Sequence, residues 1–210
     1  MTEADGRARV RMTGRERREQ LVQVGRSLFA EKGFDGTSIE EIAARAHVSK
    51  PVVYEHFGGK EGLYAVVVDR EMSDLLARLT RALSSGHPRE LAEQAALALL
   101  TYIEEETDGF RILSRDSSPT GAGAFSSLLN DIANQAEYVL VREFGARGIS
   151  TKHAAMYAQM LVGMVALTGM WWLEERKPKR EEVASHLVNL AWNGLAHLEA
   201  KPRPLKPGGE

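Results

Sequence analysis

Apolar residues recur along most of this 210-residue chain at spacings of three and four. Nowhere do four or more positions alternate strictly with strand-forming content. That period predicts an all-α protein. A first helix follows Thr13, with Glu16 three residues later as a capping box and Leu21, Val24, Leu28 and Phe29 on one face, and it stops at Gly33. A second starts at Ser38 and Glu41, its cap and third helical residue, with Ile39, Ile42, Ala43 and Ala46 turned inward. The third is SKPVVYEHF, residues 49–57, capped by Ser49. Pro51 lies in its first turn, where a missing N–H costs little, and Gly58 and Gly59 break it. A fourth runs from about 60 to 83, with Leu63, Val67, Leu75, Leu76, Leu79 and Leu83 as inner positions.

The third helix has little to hold it. Only Val53 and Phe57 stand four apart, and Val48 helps from the turn before it. Lys50, Pro51, Val52, Tyr54, Glu55 and His56 are left to face outward. Two helices of about eight residues joined by a tight turn have the geometry of a helix-turn-helix. A helix laid in a major groove needs few inward anchors, because its other side chains meet base edges and phosphates. The plain alternative is a short surface helix of an ordinary bundle.

Charge sharpens the picture locally rather than globally. The net charge is −2, which by itself argues against nucleic acid. Residues 7–18, however, hold six arginines against one glutamate. A basic arm of this kind is one footprint of DNA binding, and a solubilising leader is the other reading of it. Hydrophobic residues make up 43% and charged residues 27%, the balance of a soluble globular chain. With no cysteine there is no disulfide or thiolate metal site, and a reducing compartment is the default. Residues 1–20 contain no apolar core of a signal peptide, so a cytoplasmic location is expected. Residues 160–173, MLVGMVALTGMWWL, are free of charge but short of the roughly 20 residues a bilayer span needs, and read as a buried helix.

Residues 37–64, TSIEEIAARAHVSKPVVYEHFGGKEGLY, preceded by LFAEKGFDG at 28–36, closely resemble the TetR family of bacterial transcription regulators. The match includes Tyr54, His56, Phe57 and Lys60. His47 stands where that pattern usually has glycine; histidine tolerates a positive φ, so the turn should survive at modest strain. The resemblance implies that Ser38 and Ser49 cap helices whose N-termini approach phosphates. It implies that Lys50 reaches a guanine edge or a phosphate, and that Pro51 and Val52 pack on thymine methyls. Tyr54, His56 and Lys60 then hold phosphates, positioning the protein without reading sequence. Glu55 either accepts from a cytosine amino group or is simply solvated. Arg11 and Arg15 follow the backbone or enter a minor groove.

Beyond SSGHP at 84–88 the helices grow richer in Leu, Ala, Met and Trp, and are placed near 89–107, 109–117, 125–146, 150–176 and 180–199. The helix at 150–176 is apolar almost all round, so it is buried on two sides. One stripe carries Met156, Met160, Met164, Leu167 and Trp171, another Val162, Val165, Gly169 and Trp172. The last helix repeats the theme with Val183, Leu187, Leu190, Ala191, Gly194 and Leu198. Together these two predict a four-helix interface between two copies. A dimer would set two reading helices about 34–36 Å apart on a palindromic operator. The Met/Trp stripe is assigned to a ligand cavity with Tyr102, Phe110, Leu113, Phe125, Leu128, Ile132, Met156, Met160, Met164 and Trp171 as lining. Methionine suits adaptable apolar sites, although a Met or aromatic at helical spacing is ordinarily core. Arg111 and Arg115 are candidates for an anionic head group, or plain surface charges. Residues 102–113 and 187–200 resemble, more loosely, the actinobacterial branch of the family that controls fatty-acid and lipid genes, whose effectors are often long-chain acyl-CoA thioesters.

The expected organisation is a basic arm at 1–12, a helix-turn-helix unit at 13–59, a connecting helix at 60–83, a ligand-binding and dimerisation bundle at 84–200 and a Pro/Gly-rich tail at 201–210. No cofactor and no metal are expected. The expected role is a dimeric repressor released by an apolar effector, possible alternatives being a drug-responsive efflux repressor or a helical adaptor with an idle head. Catalysis is disfavoured, because no HExxH, no G-x-S-x-G and no complete phosphate-binding loop occurs.

Overall fold

The computed structural model describes residues 12–115, 123–199 and 201–202. The basic arm with Arg11, the loop at 116–122 and the tail from 203 onward lie outside the described residues. Among those described there is no strand. The elements are α1 (Gly14–Lys32), α2 (Ile39–Arg45), α3 (Lys50–Phe57), α4 (Lys60–Ala82), α5 (Pro88–Glu105), α6 (Thr107–Ser114), α7 (Ala124–Ala146), a 3-10 turn (Thr151–His153), α8 (Ala154–Glu175) and α9 (Arg180–Ala196).

The first helices start and stop where their caps dictate. The Thr13 N–H donates to Glu16 Oε2 at 2.7 Å, and the Glu16 N–H returns to Thr13 Oγ1 at 3.2 Å. The bond from the Thr13 N–H, and after it one from the Thr13 hydroxyl to the same Oε2 at 2.9 Å, hold the Glu16 carboxyl below the usual carboxylate range. Ser38 Oγ accepts from the Glu41 N–H at 3.2 Å and so caps α2. Ser49 makes no such bond, contrary to the capping role expected of it; Pro51 in the first turn of α3 has no N–H to offer it. Gly58 ends α3 in the left-handed region at φ 72°, which its missing Cβ makes cheap. His47 occupies the α2–α3 turn at φ 54°, the strained but tolerable state anticipated there.

The head formed by α1–α3 has its own packed centre. Leu21, Leu28, Ile42, Ala46, Val53 and Leu63 are fully buried, and the small Ala43 and Ala46 let α2 and α3 cross closely. Phe29, Phe34 and Tyr64 stack edge to face, with ring centroids 4.9 and 5.0 Å from Tyr64. Thr37 Oγ1 donates to Gly33 O at 2.8 Å, tying the end of α1 to the start of α2. Helix α4 leaves the head and enters the body on Leu75 and Leu79. Leu76, counted among its inner positions, is exposed, because it stands one residue round from that stripe.

The body packs α5 between α4 and α9, with α7 and α8 lying against each other. Its main centre holds Leu99, Leu100, Tyr102, Ile103, Phe110, Leu113 and Trp172. A second cluster joins α7 to the start of α8 through Ala133, Leu140, Phe144, Ala154 and Ala158.

Candidate nucleic-acid interface and apolar cavity

Helix α3 is anchored thinly. Val53 is fully buried, and Val48, Val52 and Phe57 are packed partway against the core. Arg18 of α1 lies over the Phe57 ring at 4.8 Å. On the outside stand Ser49, Lys50, Pro51, Tyr54 and Glu55, all exposed, with Val52 and His56 half-buried beside them. Ser38 and Arg15 are exposed as well. The head therefore gathers Ser38, Ser49, Lys50, Pro51, Tyr54 and the edge of His56 around one short helix. Tyr54 keeps 53% of its surface in solvent.

Two of these side chains are engaged within the protein. The Lys50 ammonium rests on the Glu40 carboxylate of α2, and this bond, first among the causes, lowers the pKa of Glu40. Lys60, expected to clamp a phosphate, donates to Phe34 O at 3.0 Å and lies 4.1 Å over the Phe34 ring. One of its three donors thus closes the α1–α2 loop onto α4. The reason is the Phe34 turn, whose carbonyl, accepting also from the Thr37 N–H at 3.3 Å, and ring face together make a cation site.

Between head and body lies a charged joint that the helical periodicity did not reveal. Glu71 sits on the apolar stripe of α4 and is 9% exposed. It accepts from Arg26 Nε of α1 at 2.6 Å and from the Tyr102 hydroxyl of α5 at 2.8 Å. Burial, and then the Glu71 charge, push the Tyr102 phenol well above its usual pKa. Burial opposes the charge on Arg26, but the bond to Glu71 and the charges of Glu71, Glu106 and Asp108 together outweigh it and leave the guanidinium more firmly protonated than usual. The α5–α6 corner collects further arginines. Arg26 Nη2 reaches Glu106 at 2.7 Å, Arg78 of α4 reaches Glu105 at 2.6 Å, and Arg180 of α9 pairs with Glu104. Arg176, just past α8, donates to Ile103 O at 3.2 Å and to Thr107 Oγ1 at 2.7 Å. A carboxylate interrupting the run Val67, Val68, Leu75 was the signal in the sequence for Glu71.

The body holds an apolar cavity of about 270 Å³, partly open to solvent, between α4, α5, α7, α8 and α9. Leu79, Leu99, Phe125, Leu128, Ile132 and Met164 are among its walls, and no Asp, Glu, Lys or Arg lines it among the described residues. Four of the ten residues assigned to a cavity thus lie on it: Phe125, Leu128, Ile132 and Met164. Tyr102, Phe110 and Leu113 do not; they are fully packed in the main core, Tyr102 turned onto Glu71. Met156, Met160 and Trp171 lie on the opposite face of α8, exposed by 45, 55 and 50%. Apart from Met164, the two stripes of α8 are therefore exchanged: Leu161, Val162 and Val165 face the cavity. Branched and small side chains let α8 seat against its neighbours, and Met156, Met160, Leu167 and Trp171 are left outside. Arg115 meets Glu174 at 3.5 Å, and neither it nor Arg111 lines the cavity.

Comparison with known proteins places both halves. The pattern described as bacterial regulatory proteins, tetR family, matches residues 21–67. That of the tetracyclin repressor-like C-terminal domain matches residues 78–206. The chain belongs to the TetR family. This makes it a helix-turn-helix transcriptional regulator, not an enzyme. It is similar to the HTH-type transcriptional activator FasR of Mycolicibacterium smegmatis, with 29% identity across 87% of this chain and 84% of that protein. The HTH-type transcriptional repressor Rv3405c of Mycobacterium tuberculosis is 42% identical over 84 residues, 40% of this chain and 43% of that one. Among solved structures, a TetR-like transcriptional regulator from a Rhodococcus superposes with a TM-score of 0.71 at 24% identity, covering 90% of this chain and all of that one. That likeness concerns the fold.

Proposed function

We propose that this TetR-family chain binds a roughly palindromic operator as a homodimer and changes its grip on DNA when an apolar molecule fills the body. The cavity carries the proposal. Its walls include Leu75, Leu79 and Leu83, the C-terminal half of the helix that leads out of the head at Lys60. Any ligand that spreads these walls tilts α4 and with it the reading helix. A ligand shifts the equilibrium only by its differential affinity for the two states, and a tenfold change in DNA affinity needs about 1.4 kcal/mol of it.

The chemistry of the walls narrows the effector. The volume lies just under the roughly 300–1,000 Å³ of small-molecule sites, so a slender occupant fits best. With no carboxylate in the lining, a cationic drug would enter uncompensated, whereas an alkyl chain needs only apolar contact. A long-chain acyl-CoA whose chain enters and whose charged part stays outside meets these terms, and it points to lipid-metabolism genes. The name of the relative FasR describes an activator and that of Rv3405c a repressor. We assign this chain repression, in which an operator covering the polymerase site is vacated on ligand binding.

The dimer face follows from what the cavity leaves outside. Met156, Met160, Leu167 and Trp171 line one exposed stripe of α8, and Leu190 of α9 is 66% exposed. Gly163 lies on that stripe with open space where a Cβ would stand, which admits a partner helix closely. Two copies joined here place two α3 helices for successive major grooves.

The test is fluorescence anisotropy on a duplex selected from a random pool, titrated with palmitoyl-CoA. A tenfold or larger loss of affinity is expected, abolished by Ala95→Phe, which fills the cavity. Unchanged affinity at saturating palmitoyl-CoA removes that effector.

A further inference from the structure

We infer that Glu40 is a specificity-determining residue of the head, acting as a positioning group on Lys50. This rests on α3 docking in the major groove and is independent of the effector. Lys50 is the first residue of α3 and Glu40 the second of α2, and their side chains meet across the turn. Both remain largely in solvent, 53 and 62% exposed, so the pair adds little to stability. Its place matters more than its strength. The N-terminal residues of a reading helix are those that reach base edges.

The neighbouring cations share the pattern. Lys32 at the end of α1 rests on Glu41 of α2, and Arg45 at the end of α2 reaches Glu31 of α1 at 3.2 Å. Three cations of the head, Lys32, Arg45 and Lys50, are thus already partnered. For Lys50 this has two consequences. On random DNA a bare ammonium gains from any phosphate within reach, and gains by releasing a counterion. Held by Glu40, it gains less there, because the phosphate must displace a carboxylate that is itself repelled by the backbone. At a matched guanine the ammonium keeps Glu40 on one of its three donors and gives another to O6 or N7. Glu40 therefore subtracts from non-specific binding while leaving, and orienting, the base contact.

The experiment measures binding of the full chain to two duplexes, one of random sequence and one selected by the wild type from a randomised pool, over a range of salt. Glu40→Gln is expected to raise affinity for the random duplex about threefold at physiological salt. The plot of log affinity against log salt should steepen by about 0.9, one further phosphate neutralised. Affinity for the selected duplex should rise less or fall, so discrimination shrinks at least threefold. In a Lys50→Met background the same change should alter neither duplex. Glu40 also occupies the first turn of α2, where a negative charge is favoured. The melting temperature of Glu40→Gln is therefore measured alongside, and a shift of about 1 °C or less is expected. An unchanged slope and ratio overturn the inference, as does an equal gain in the Lys50→Met background, which would mean that Glu40 repels phosphates without acting on Lys50. Failure of the pool to enrich any duplex would overturn it together with the α3 reading.

Discussion

Gly109 is the position at which the head–body joint is most exposed to a single methyl group. It lies in the first turn of α6, packed against the Glu71–Tyr102 pair. A Cβ built there would stand 1.8 Å from Glu71 Oε2 and 2.6 Å from the Tyr102 hydroxyl oxygen. Neither atom can yield freely, because the carboxylate is pinned by Arg26 at 2.6 Å and the hydroxyl by the carboxylate at 2.8 Å. In Gly109→Ala the better helix propensity of alanine contributes at most about 1 kcal/mol. Against it stand about 1–3 kcal/mol of overpacking and about 1–3 kcal/mol for a buried hydroxyl parted from its acceptor. The net expectation is a loss of about 3 kcal/mol, and at about 2–4 °C per kcal/mol for a chain of this size the midpoint falls by about 6–12 °C. Thermal unfolding at one fixed protein concentration measures it, since the proposed dimer would make the midpoint concentration-dependent. Adding Gly109→Ala to Glu71→Ala should cost at least 1 kcal/mol less than adding it to the wild type, because the atom it strikes is gone. A Gly109→Ala chain as stable as the wild type, or stabilised as propensity alone would have it, refutes the packing argument.

Other outcomes follow from the same geometry. Tyr54→Phe should weaken binding to all duplexes severalfold at unchanged melting temperature, since the hydroxyl is outside the core and would meet phosphate in the proposed interface; a loss confined to one sequence would contradict this. Lys60→Met should lower stability by about 1 kcal/mol in urea unfolding through loss of the Phe34 carbonyl bond and ring contact. Trp171→Glu should convert the dimer to a monomer in sedimentation equilibrium. In an NMR titration Glu16 should protonate below the ordinary carboxylate range. Its contribution to stability is present above the unfolded pKa and is lost as pH falls through the depressed folded value; Thr13→Val should move the titration back up.

The head was legible because its punctuation is chemical. Thr13 with Glu16, Ser38 with Glu41 and the paired Gly58–Gly59 each fix a boundary by a local bond or a backbone state that few residues accept. The body was legible in outline only. Periodicity locates α8, but an apolar helix with two apolar stripes does not declare which one the neighbours take. The choice depended on side-chain shape: Val162, Val165 and Ala166 turn inward to the cavity, and Met160 and Trp171 are left in solvent. Tyr102 illustrates a second limit. Its ring has the spacing of a cavity wall, but its hydroxyl is drawn to Glu71, a partner 31 residues away. Lys60 illustrates a third, since its partners Phe34 O and the Phe34 ring are brought near only by the fold.

The central claim is that the outer face of α3 enters the major groove in two copies related by a twofold axis. Hydroxyl-radical footprinting of the chain on a duplex selected from a random pool tests it most directly. Two protected patches on palindromic half-sites, about one helical turn of 10–10.5 base pairs apart or a multiple of it, are predicted, with both fading together in Tyr54→Phe. A single patch, or protection that survives when Lys50 and Tyr54 are both replaced, would contradict the account.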